Sequence, residues 1–310
     1  MCAGLEWPEG KRFAFTIFDD TDCATLENIT KVYSLLLDLG LRTTKSVWVL
    51  DGNVESSLRG STCEDPEYLA WLHSLQGSGF EIGFHGASYS TASRQETELA
   101  LKRFREFFGA YPSAYAMHSG CREAPYWGAE RVSGLHRFAF RLAQRGRSIQ
   151  HYEGHVPGSP LFWGDLCQNC VGYMRNFVYY DINTLKCCPE MPYHDPERPF
   201  VRAWFASSDG ARAPSFIERI SEARQEQLEA EGGLCIMYTH LACGFAEENV
   251  INPRFRRLME RLAARNGWFV PVSTVLDYVA QKKGVHEISS TERRRLERRW
   301  ILGKLLHGPS

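Results

Sequence analysis

Short apolar runs alternate with longer segments of helical periodicity along most of this chain. That alternation limits the fold more than any other feature. The runs RFAFTIF (12–18), SVWVL (46–50), FEIGF (80–84), SAYAM (113–117) and LCIMYTH (234–240) read as strands. Between them, TLENITKVYSLLLDLG (25–40) stops at Gly40, and DPEYLAWLHSLQGSG (65–79) starts on Asp65 as N-cap with Pro66 at the first helical position. Further helical patterns lie at 93–108, 214–231 and 253–266. Strands alternating with helices predict a parallel sheet with right-handed crossovers. The stretch 147–213, rich in Gly, Pro, Tyr and Asn, resists assignment.

The strand ends carry unusual residues. The first run stops on Asp19 and Asp20, with Asp22 just beyond; the others stop at Asp51, His85, His118 and His240. In a closed parallel barrel, the C-terminal strand ends share one mouth, where active sites form. A single histidine after a strand is ordinarily a buried group satisfied by one hydrogen bond. Carboxylates and imidazoles at several strand ends together point to a reactive site.

These residues sit in motifs. TIFDD, EIGFHGASYS, and GLCIMYTHL followed by GWFVPVSTVLDYV resemble the motifs of the polysaccharide deacetylases of carbohydrate esterase family 4, over about residues 10–282. The resemblance implies a distorted (β/α) barrel with parallel strands and a metal-dependent hydrolase that removes an N-acetyl or related acyl group from an amino sugar. It implies Asp19 as general base, Asp20 and His85 as ligands of a divalent metal (zinc, with cobalt or nickel as alternatives), and His240 as general acid. Arg122, in CREAPYWG, stands one residue from the family's arginine that orients the base. The family's second metal histidine falls on Tyr89 here, and Gly86 replaces its Ser or Thr. A phenol titrates near ~10 and makes a poor ligand at neutral pH. The third ligand is therefore expected at His118, with Asp22 second. Two other readings stand beside this one. One is a metal-free amidase of the allantoinase-like branch; the other is a catalytically silent carbohydrate-binding barrel.

The remaining features narrow the partners. A formal net charge of -1 provides no field for nucleic acid. No apolar leader or span is visible, so a cytoplasmic protein is expected, acting on a small-molecule or lipid-linked acylated amino sugar. Cys167, Cys170, Cys187 and Cys188 lack zinc-knuckle spacing and are expected as reduced thiols. Trp127, Trp163 and Trp204 are expected in the core. The chain divides into a barrel (1–284) and a basic helical tail (285–310). That tail is expected either docked on the barrel with a solvated arginine face or in weak contact with an anionic membrane.

Overall fold

The computed structural model describes residues 5–54, 56–143 and 150–307. Seven strands close a parallel barrel: β1 (Phe13–Asp19), β2 (Thr44–Val47), β3 (Glu81–Phe84), β4 (Ala114–Tyr115), β5 (Tyr173–Tyr179), β6 (Ala203–Asp209) and β7 (Leu234–Thr239). Each pairs in parallel with the next, and β7 returns to β1 in a register running from Ala14↔Leu234 to Asp19↔Thr239. All seven residues of β1 are buried, as expected of a strand covered on both faces. Helices pack outside, among them Leu26–Asp38, Pro66–Gly77 and Arg94–Phe108. The Asp65 carboxylate caps the second of these by accepting from the N–H groups of Glu67 and Tyr68.

Several elements differ from the sequence reading. The second strand is Thr44–Val47, not 46–50, because the N–H groups of Val49 and Leu50 leave the ladder and donate to the Ala87 carbonyl. Asp51 therefore ends no strand; it pairs with Arg59 at 3.3 Å, half exposed on the surface. The fourth strand shrinks to Ala114–Tyr115. The helical stretch at 214–231 divides into Ala213–Arg219 and Glu222–Ala230. The unassigned middle supplies β5 and β6, two of the seven barrel strands.

The tail forms the helix Ser290–His307, packed against the barrel. Trp300 lies 5.5 Å from the Phe177 ring of β5, and Leu296 is buried beside it. Arg293 and Glu297 are buried as well: Arg293 pairs with Asp195 at 2.9 Å and Glu297 with His136 at 2.8 Å. The arginine-rich segment thus has one arginine inside the docked interface rather than a wholly solvated face. Trp163 and Trp204 are in the core, and Trp127 stacks on the Arg131 guanidinium at 3.4 Å. Cys167, Cys170, Cys187 and Cys188 are free thiols, all but Cys170 buried. Among the described residues, no helix is long and apolar enough to cross a membrane.

Candidate active site

The loop after β1 positions the site. Asp20 N–H still donates to the Thr239 carbonyl, and Ala24 N–H then turns back to Thr21. Cys23, at φ +58°, lies at the turn that carries Asp22 over the barrel. Cys23 N–H to Leu58 and Ser61 N–H to Ala24 tie this loop to its neighbour. At Gly60 a Cβ would stand 2.6 Å from the Ala24 carbonyl oxygen, so only glycine allows that approach.

Adjacent carboxylates on this strand end face opposite sides, as the pleat requires. Asp19 faces the helical layer and is fully buried. Its Oδ2 accepts from the Tyr33 hydroxyl at 2.9 Å and lies 3.2 Å from Lys45 Nζ; its Oδ1 accepts from Leu241 N–H at 2.8 Å. Burial is the largest influence and works against the Lys45 charge, but the contributions of Asp19, Tyr68 and Asp20 together hold the ammonium above its ordinary pKa. Asp19, expected as general base, is fully buried with both of its oxygens engaged by Tyr33, Lys45 and Leu241.

Asp20 faces inward. The Arg175 guanidinium of β5 grips it with two hydrogen bonds, Nη1 to Oδ1 at 2.8 Å and Nη2 to Oδ2 at 2.5 Å. Arg175 itself is buried, stacked over the Tyr238 ring at 4.4 Å. Burial disfavours its charge, and the Asp20 charge and hydrogen bonds more than compensate. Arg122, expected as the orienting arginine, is exposed at the rim and donates to Glu153. Arg175 holds a site carboxylate in its place. The sequence reading missed it because it lies in the unassigned middle. The available signal was an arginine inside the apolar run YMRNFVY, since a buried cation requires a buried partner.

Three imidazoles converge on Asp22. His118 Nε2 is 2.8 Å from Oδ1; His240 Nε2 and His85 Nε2 are 3.0 and 3.3 Å from Oδ2. Burial pushes the Asp22 carboxyl up, but its contacts to His118, His240 and His85 hold it well below the usual carboxylate range. Burial likewise opposes the charge on His240, yet the Asp22 hydrogen bond and the charges of Asp20 and Asp22 raise it to about 9. His240 Nδ1 meets the Ala211 carbonyl at 2.8 Å, which fixes the ring with Nε2 toward Asp22. Its side chain is 18% exposed, against 1% for His85 and 5% for His118, so it is the imidazole that substrate can reach.

Ligand atoms of Asp20, Asp22 and His85 lie within 4.8 Å of one another, the only such group among the described residues. The group contains Asp22, the second candidate for the third ligand, and not His118, which meets Asp22 Oδ1 through Nε2. Neither ring nitrogen of His85, nor Nε2 of His118, has an in-line hydrogen-bond partner among the described residues. This donor set fits a divalent metal. Each Asp20 oxygen keeps a second lone pair despite the Arg175 bonds. Tyr89 stays outside the cluster: its hydroxyl donates to Asp51 Oδ1 at 2.8 Å.

No protein-family model matches the chain, and no curated protein matches it by sequence. Solved structures do match by shape. A protein assigned as a polysaccharide deacetylase from Mycobacterium smegmatis superposes with a TM-score of 0.52 at 11% identity, over 93% of this chain and 97% of that one. Puue allantoinase matches with a TM-score of 0.45 at 11% identity, over 99% and 95%. The peptidoglycan deacetylase PdaC from Bacillus subtilis matches with a TM-score of 0.42 at 13% identity, over 94% and 98%. The first of these shows that the chain has the deacetylase-like (β/α) barrel fold, with its seven parallel strands.

Proposed function

We propose that this protein is an amide hydrolase that removes an acetyl or related acyl group from an N-acylated amino sugar or a sugar-containing precursor. The observation that carries this reading is the convergence of Asp20, Asp22, His85, His118 and His240 at one end of a deacetylase-like barrel. Asp20, Asp22 and His85 would hold a divalent metal, zinc, cobalt or nickel. Such an ion polarises an amide carbonyl and lowers the pKa of a bound water. His240, protonated at neutral pH through Asp22, donates from Nε2 to the departing nitrogen. Arg175 fixes Asp20 in one orientation, and Asp22 keeps its negative charge across the neutral range. We place the reaction in the cytoplasm, on a small or lipid-linked substrate and without nucleic acid.

One observation favours a second reading. Arg175 already delivers a fixed cation to Asp20, so the site can also be read as an amidase working through side chains alone. Metal analysis separates the two. Protein produced with ample zinc, cobalt or nickel is expected to carry one ion per chain, and Asp22→Asn or His85→Ala to carry essentially none, since two remaining ligands do not hold a divalent ion against water. Wild-type protein that carries no metal yet releases acetate would establish the second reading. Protein that neither binds metal nor hydrolyses any of a panel of N-acylated amino sugars would overturn both.

A further inference from the structure

We propose that the C-terminal helix Ser290–His307 docks this protein on an anionic lipid surface. The helix has two opposed stripes. One, through Arg293, Leu296, Glu297 and Trp300, is buried against the barrel. The other runs through Arg294, Arg298, Leu302 and Leu305, spaced so that each lies one turn from the next, and all four are exposed. Leu302 is 53% exposed, Leu305 74% and the adjoining Leu306 78%. From Arg294 to Leu306 the stripe is about 18 Å long at the helical rise of ~1.5 Å per residue.

Two arginines of this stripe differ from many others on the surface in having no carboxylate partner among the described residues. Arg59, Arg94, Arg103, Arg254 and Arg261 each pair with a carboxylate. Arg294 and Arg298 meet no acceptor among the described residues. The stripe itself contains no carboxylate, so a second copy docked face to face would bring more arginines and no counter-charge. Uncompensated cations beside uncovered leucines match lipid headgroups that carry negative charge above a shallow acyl layer. With a net charge of -1, the whole protein gives no general attraction to such a surface; the helix supplies it locally.

Co-sedimentation of the full chain with vesicles tests this. Binding is expected to vesicles of phosphatidylcholine with phosphatidylserine, not to phosphatidylcholine alone, and should weaken as salt is raised. Arg294→Glu with Arg298→Glu should lower the partition coefficient by at least about tenfold. Leu305→Glu with Leu306→Glu should lower it comparably, with the thermal melt of both variants unchanged because all four side chains are exposed. Absence of binding to the phosphatidylserine vesicles overturns the proposal, as does binding that both variants retain. A wild-type dimer by analytical ultracentrifugation that Leu305→Glu dissociates, with no vesicle binding, would assign the stripe to a second copy and overturn it equally.

Discussion

Asp19→Asn should destabilise the protein by about 3–5 kcal/mol, the cost of leaving a buried cation without its counter-charge. Lys45 Nζ is fully buried 3.2 Å from the Asp19 carboxylate, and an amide at position 19 cannot balance its charge. The amide keeps only one acceptor oxygen, so either Leu241 N–H or the Tyr33 hydroxyl loses its partner, which adds to the effect. The urea midpoint of unfolding measures it. Combining Asp19→Asn with Lys45→Met should recover much of the loss, because the pair is then removed together rather than broken. The opposite pattern would be unchanged stability with turnover reduced by roughly 10² or more, the scale for loss of a general base. That result would return Asp19 to the chemistry and refute its structural role.

His240→Ala should cut turnover by roughly 10²–10⁴ through loss of the proton donor, and substrates with better leaving groups should partly restore it. Wild-type activity should fall on the alkaline side as His240 gives up its proton, and this basic limb should vanish in the variant. Stability follows the same group. The folded pKa of about 9 lies above the ~6.5 of a free imidazole, so the His240–Asp22 interaction contributes fully below about pH 6.5 and is lost as pH rises through about 9. At ~1.4 kcal/mol per pKa unit, the contribution is about 3 kcal/mol. Urea titrations at pH 6 and pH 10 should show wild type losing that stability and His240→Ala changing far less. Equal pH dependence in the two proteins would remove His240 from the role of charged partner to Asp22.

Much of the site was legible before any coordinates because its residues violate the expectations of their surroundings. An apolar strand that ends on Asp19, Asp20 and Asp22, and histidines at 85, 118 and 240 just past strands, are costly placements unless they meet one another. The strands that carry them were legible too, being apolar runs bounded by helical patterns. By contrast, β5 and β6 mix polar with apolar residues in YMRNFVY and AWFASSD, and β5 has a register shift between Arg175 and Val178. No simple period survives there, so the segment carrying Arg175 could not be read.

The amino-acid sequence by itself determined that this chain builds a parallel barrel with acidic and imidazole groups at one end. It also determined that neighbouring Asp19 and Asp20 face opposite sides, because the pleat alternates regardless of context. Which side is inside was decided only when β7 closed on β1 and the helix Leu26–Asp38 brought Tyr33 against Asp19. Closure also brought Arg175, 155 residues away in the chain, onto Asp20, and gathered three histidines on Asp22 instead of distributing them around Asp20. Local sequence sets the residue types and their alternation. The charge partners of a buried group come from distant strands, and only tertiary packing chooses among them, because an unpaired buried charge costs more than any local preference can offset.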